Sequence, residues 1–265
     1  MNRIDNLFQT KGENILSVYF TAGFPNLNDT AEILKQLQES GVNMVEVGIP
    51  FSDPMADGIV IQQSSHQALQ NGMNLDILFD QLYKIKEEIQ IPIVLMGYFN
   101  PVFKYGVERF CQKCVFTGVS GLIIPDLPLE IYLDEYADLF ERYGLYYIPL
   151  VTPQTPDQRI VKLGKESKGF IYMVSTASIT GSRPDLEKSS PYFKRVRQLL
   201  PKTPLMIGFG IQDATSFSTA CRYANGGIIG TAFIQALQNE SGTAESSLDL
   251  KERVISFVER IRTRQ

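Results

Sequence analysis

Residues 43–62 read NMVEVGIPFSDPMADGIVIQ, and the order of residue types within them sets the fold. A short β-branched run from Met44 to Gly48 gives way to a loop punctuated by Pro50 and Pro54, then to an apolar pattern of helical spacing. That is a strand, a loop and a helix in succession. Strand alternation puts Met44, Glu46 and Gly48 on one face and Val45 and Val47 on the other. Valines suit the face that packs on helices, so Glu46 is expected to point inward, near the top of a closed sheet.

The same unit recurs on both sides of this stretch. Strands are predicted at 14–20 (NILSVYF), 44–48 (MVEVG), 91–97 (IPIVLMG), 121–125 (GLIIP), 145–151 (LYYIPLV), 170–174 (FIYMV), 204–209 (PLMIGF) and 226–230 (GGIIG). Helical periodicity falls between them at 28–40, 61–90 with a break at Asn71–Gly72, 107–117, 129–143, 156–165, 190–200, 213–224 and 231–238. Strand–helix alternation of this kind in 265 residues predicts an α/β fold of the (β/α)8 TIM-barrel class. An open doubly wound sheet usually carries GxGxxG after its first strand, and none is present. One domain is expected over residues 1–265, with a helix at 1–10 before the barrel and another at about 248–262 closing the chain.

The polar and glycine-rich segments FSDPMADG, GYFNPVFKYG, PDLP, STASITGSRPD, GFG and GTA each follow a strand. In a barrel they share the C-terminal rim, where active sites of this fold are built. Buried there, Glu46 loses hydration, which raises its proton affinity and lets one carboxyl donate and accept a proton near neutrality. The competing reading is a core glutamate paired with a lysine or arginine. Asp57 follows eleven residues later; by itself it reads as a helix cap, whereas beside Glu46 it would be the permanent anion of an acid pair. Thr180–Gly181–Ser182, Gly208–Phe209–Gly210 and Gly230–Thr231 follow strands six to eight, and could bring backbone N–H groups close to a phosphate. Each alone is also compatible with a tight turn.

Composition narrows the function classes. Twenty-five basic and 29 acidic residues give a net charge of −4 with no long run of either sign, which disfavours nucleic-acid binding. The apolar runs are too short to span a bilayer, and the polar start MNRIDNLFQTKGEN resembles no secretory or transit signal, so a cytoplasmic location without membrane attachment is expected. The three cysteines include Cys111 and Cys114 in CQKC; with no second CxxC, packed thiols on a helix are expected rather than a zinc or redox site. The single histidine, His66, lies in a helical pattern, which points to carboxylates as the acid–base groups and to no metal centre.

With its preceding strand glutamate, GIPFSDPMADG resembles the signature loop of the tryptophan synthase alpha chain family. The likeness extends through LFQTKGEN, YFTAGFPN, GYFNPVFKYG, LIIPDLP, TPQTP, SITG, GFGI and GGIIGTA. The resemblance implies a lyase that splits indole-3-glycerol phosphate by retro-aldol cleavage into indole and glyceraldehyde 3-phosphate. It also implies Glu46 as the acid–base residue and Asp57 as acceptor of the indole N–H. Tyr19, Met96, Tyr98, Ile123, Tyr172 and Phe209 would line the indole pocket, and Gly181, Gly210, Gly230 and Thr231 would hold the phosphate. Thr180 would bond Asp57 on loop closure. No cofactor is implied in this chain; pyridoxal phosphate is expected in a beta chain, the partner in an α2β2 assembly that 50–58 and 100–106 would meet. Exposed Pro101, Val102, Phe103 and Tyr105 would suit such an interface, unless they pack within their own loop.

The sequence departs from the common family pattern at Tyr19 for phenylalanine, Ile59 for proline, Thr231 for serine, and Thr176 and Ser178 for arginine and glycine. Two other readings are a second phosphate-binding barrel enzyme of the same pathway and a catalytically silent subunit that activates the beta chain. The first leaves the Glu46–Asp57 loop unexplained. The second would go with loss of one of the two acids, and both are present.

Overall fold

A strand covered on both faces reads as a mostly apolar run, and β1 (Ile15–Thr21) is buried at every residue in the computed structural model, Ser17 and Thr21 included. The model describes residues 1–55, 57–175, 186–238 and 249–263. β2 (Met44–Gly48), β3 (Ile93–Met96) and β4 (Val119–Ile123) follow in parallel on one side of β1; β9 (Gly226–Ile229), β8 (Leu205–Gly208) and β7 (Ile171–Val174) follow on the other. The ring closes through the chain itself. β5 (Tyr146–Tyr147) pairs with β4 and β6 (Leu150–Val151) pairs with β7, and only Ile148 and Pro149 separate the two.

The fifth strand, predicted as continuous over 145–151, is therefore broken, and Pro149 gives the reason. Proline has no N–H to add to a ladder. Its carbonyl still accepts from Tyr172 N at 3.0 Å, so closure survives the break.

Helices cover the outside: α2 (Asp29–Glu39), α3 (Ile59–Gln70), α4 (Leu75–Ile85), α5 (Phe99–Tyr105), α6 (Val107–Phe116), α7 (Leu129–Ile131), α8 (Ala137–Arg142), α9 (Asp157–Glu166), α10 (Ser190–Leu199), α11 (Ala214–Tyr223), α12 (Thr231–Leu237) and α13 (Leu250–Arg262). The expected break at Asn71–Gly72 separates α3 from α4, and Asn74 caps α4 by accepting from Ile77 N at 3.0 Å. A π-helical turn over Tyr132–Tyr136 joins α7 to α8.

The first helix, α1 (Arg3–Thr10), lies across the mouth opposite the rim. Its Ile4 is fully buried and stands against Gly121 within β4 and Gly169 just before β7, where any side chain would crowd it.

α5 corrects one expectation. GYFNPVFKYG was predicted as a rim loop, yet Phe99–Tyr105 is helical, with Pro101 in the first turn, where a missing N–H costs nothing. The turn withdraws Val102 to 1% exposure and packs Tyr105 against Phe79 and Phe110, leaving Phe103 exposed. The apolar rim patch is thus smaller than four exposed residues, although Met55 and Ile59 add to it from the β2–α3 segment. Among the described residues no helix is long and apolar enough to cross a membrane.

Candidate active site

β2 lies between β1 and β3, with Glu46 opposite Tyr19 on one side and Val94 on the other. The alternation holds, and Glu46 is 0% exposed. Ser17 Oγ donates to its Oε1 at 3.2 Å, while Oε2 has no hydrogen-bond partner among the described residues. No lysine or arginine pairs with it there either, so the core ion-pair reading fails. Lost hydration pushes the carboxyl up to about 8, with the Ser17 bond pulling the other way.

Asp57 hangs in the segment between β2 and α3. Its backbone N–H bonds Pro54 O at 3.0 Å, and Gln62 of α3 bonds its carbonyl at 2.8 Å. The side chain does not cap α3, whose N-cap is Gly58. It instead accepts from the Tyr98 hydroxyl at 3.3 Å. Burial lifts this carboxyl to about 6, and the Tyr98 bond opposes the rise.

Both acids act on the same two phenols. Tyr19 and Tyr172 hold their protons more tightly than usual, chiefly through burial and further through the charges of Asp57 and Glu46. Space for the two rings is made by glycine. A side chain on Gly48 would overlap the Tyr19 hydroxyl, and one on Gly208 would overlap that of Tyr172.

Tyr19 also reaches the other side of the mouth, where a Cβ on Gly230 would lie 3.2 Å from its ring. Gly230 caps α12, and Thr231 is the first helical residue and exposed. After β8 the chain turns through Phe209 and Gly210, with φ of 66° and 78°, and Ser175 Oγ donates to Phe209 O at 2.8 Å. The positive φ at Phe209 is a strained conformation for an aromatic residue, and the Ser175 bond helps to hold it. Phe209 meets Tyr172 edge-on, with ring centroids 6.2 Å apart.

A cleft next to Asp57 is walled by Tyr19, Asp57, Met96 and Tyr98, all expected from the sequence, while Glu46 is not on its wall. Ile49, Phe51, Pro54, Ser65, Gly97 and Pro125 complete it. Its free volume is about 10 Å³, too little for a two-ring aromatic group unless the wall shifts. Phe51 stacks on Tyr98 at 5.0 Å, and being half-exposed it has room to move. Ile123 is fully buried beside the cleft and not on its wall, whereas Tyr172 and Phe209 lie on the β7–β8 side.

Thr180 and Gly181, with Thr176, Ser178 and Ser182, lie outside the described residues. His66 is exposed and bonded to Gln70, away from the acids. Cys111 and Cys114 are free, buried thiols on α6. Among the described residues no group of three or more histidine, cysteine, aspartate or glutamate side chains could hold a metal.

The sequence reading missed Ser17 and Phe51. Ser17 had a signal, since it shares the inward alternation of β1 with Tyr19. Phe51 had none beyond membership of the loop.

Comparison with known proteins gives a consistent answer. The family model for the tryptophan synthase alpha chain matches residues 6–262. The chain is 53% identical over 247 residues to the tryptophan synthase alpha chain of Parabacteroides distasonis, covering 93% of this chain and 96% of that one. It is 51% identical over 263 residues to that of Christiangramia forsetii, covering 99% of each. Among solved structures, the tryptophan synthase alpha chain of Legionella pneumophila superposes with a TM-score of 0.86 at 32% identity, covering 99% of this chain and 97% of that one.

Proposed function

The chain belongs to the tryptophan synthase alpha chain family, and we propose that Glu46 and Asp57 carry its reaction. That reaction is the cleavage of indole-3-glycerol phosphate into indole and glyceraldehyde 3-phosphate, and the family's partner is the tryptophan synthase beta chain. The observation that supports the assignment most is a fully buried carboxyl, raised to about 8, and a second, raised only to about 6, that acts on the same two phenols. Near neutrality the first is protonated and the second ionised, which is the division of labour that a retro-aldol cleavage of this substrate requires.

Glu46 gives its proton to indole C3. The positive charge that develops on the ring is met by Asp57, which accepts from the indole N–H. The carboxylate left on Glu46 then takes the proton of the glycerol hydroxyl at the carbon attached to C3. As that oxygen becomes a carbonyl, the C–C bond to the ring breaks and its electrons restore the aromatic system. Glu46 ends protonated, as it began.

Gly210, Gly230 and Thr231, with Gly181, would hold the phosphate through backbone N–H groups and a hydroxyl, fixing the glycerol chain across the mouth. Tyr19, Met96 and Tyr98 would offer flat apolar contact to the ring, with Ile123, Tyr172 and Phe209 behind or beside them. Thr180 would bond Asp57 when the loop after β7 closes.

Proton transfers of this kind need only carboxyls, so the chain is assigned no cofactor, and pyridoxal phosphate is assigned to the beta partner. The partner would meet the segments 50–58 and 100–106, where Met55, Ile59 and Phe103 are exposed. A cytoplasmic location fits a biosynthetic enzyme of this kind.

Spectrophotometric indole release from indole-3-glycerol phosphate, with and without the beta chain, tests the reading. Glu46→Gln is expected to lower release by about a thousandfold or more while leaving beta-chain binding intact. Near-normal release from that variant rules the assignment out.

A further inference from the structure

We propose that Ser17 is a positioning residue for the proton transfers of Glu46, fixing which carboxyl oxygen meets the substrate and favouring the charged form of the group. This deepens the reading of Glu46 as proton carrier and rests on it.

Ser17 is fully buried on β1, two residues before Tyr19 and on the same inward face. A hydroxyl in such a place costs stability unless it is bonded. The other inward aliphatic hydroxyl of β1, on Thr21, is engaged with Ser64 Oγ at 2.7 Å. Ser17 Oγ instead donates to Glu46 Oε1 at 3.2 Å. Because Oε1 is the oxygen occupied by that donor, the proton of the neutral acid resides on Oε2, which is buried and has no partner among the described residues. Oε2 is therefore the atom that gives the proton to C3 and recovers it from the hydroxyl.

The surroundings leave Ser17 as the contact that favours charge. The titratable groups around Glu46 are Tyr19 from β1, Tyr172 from β7 and, from the segment before α3, Asp57, which acts on the same two phenols. None is a cation. A hydroxyl donor bonds a carboxylate more strongly than a neutral carboxyl, so it offsets part of the burial that otherwise holds the proton on. Removing it should leave an acid that gives up its proton less readily.

The test is the pH dependence of indole release by Ser17→Ala, assayed with the beta chain bound and compared with the parent protein on the same substrate, so that titration of the phosphate cancels. Glu46 starts the cycle protonated, and its loss of that proton sets the alkaline limb. The alanine variant is expected to move this limb upward by about one pH unit, with kcat at neutrality reduced about tenfold and KM changed less than about twofold. Ser17→Thr, which keeps the hydroxyl, is expected to restore the parental profile. A carbon-13 titration of the Glu46 carboxyl gives the same midpoint shift without turnover.

An unshifted limb and midpoint in Ser17→Ala, or a threonine variant that behaves like alanine, overturns the role of Ser17. If Glu46→Gln is inactive in the same assay, the assignment of Glu46 stands and only this inference falls. If Glu46→Gln is active, both fall.

Discussion

Glu46 and Asp57 are the same chemical group held in two different ways. Glu46 is fixed by the barrel wall: its strand is bonded on both sides, its side chain is sealed, and Ser17 supplies its one hydrogen bond among the described residues. Asp57 sits in a connecting segment, half-buried, tethered by a Pro54 turn, by Gln62 and by Tyr98. Depth of burial separates their proton affinities, about 8 against about 6, even though each has one hydroxyl donor among the described residues. In the proposed assignment the strand residue holds the proton and the residue of the connecting segment holds the charge. A group that must follow a ring as it enters and leaves belongs on such a segment.

The sharpest way to break this contrast is to make both acids into amides. Asp57→Asn keeps the shape and a hydrogen-bond acceptor, and is expected to lose about a hundredfold in indole release, less than Glu46→Gln loses. Equal losses in the two variants, measured by the same indole assay, would contradict the division of roles.

Stability should respond in the opposite sense at Glu46. Its folded proton affinity is raised, so between pH 4.5 and about 8 the native protein retains a proton that the unfolded chain releases. Stability from this group is complete below the lower value and is lost as pH rises to the upper one. Glu46→Gln, which cannot ionise, is expected to be more stable than the parent protein by a few kcal/mol at pH 8 to 9, with the difference vanishing near pH 4. Urea unfolding at the two pH extremes checks both sign and window.

The smallest expected effect concerns the tether. Tyr98 donates to Asp57 and favours its charge, so Tyr98→Phe should raise that carboxyl above about 6 and move the acid limb of kcat/KM upward, by less than about one pH unit. The alkaline limb, set by Glu46, should stay where it is. Movement of both limbs together would mean that the two acids titrate as one coupled unit.

The sequence carried the inward aim of Glu46, because two valines flank it in a strand of known period. It left Asp57 ambiguous, since a carboxyl before a helix reads as a cap until a partner such as Tyr98, 41 residues away in sequence, is brought beside it. α5 escaped notice because seven residues with a proline give too little periodicity to separate a helix from a loop. The break at Ile148–Pro149 was written in the sequence as a proline inside an apolar run, a standing argument against a continuous interior strand. Ser17 lay in plain sight, but a small hydroxyl on a strand acquires meaning only when register brings β1 beside β2.

Gly48 and Gly208 each receive the phenol of an adjacent strand, and this ties four positions into two pairs with a direction of travel. A methyl group at either glycine would overlap the facing ring where it stands, so that ring must first swing aside or give way to something smaller. Among relatives, then, bulk at position 48 should occur only where position 19 has already shrunk or its ring has swung aside, and likewise for 208 and 172.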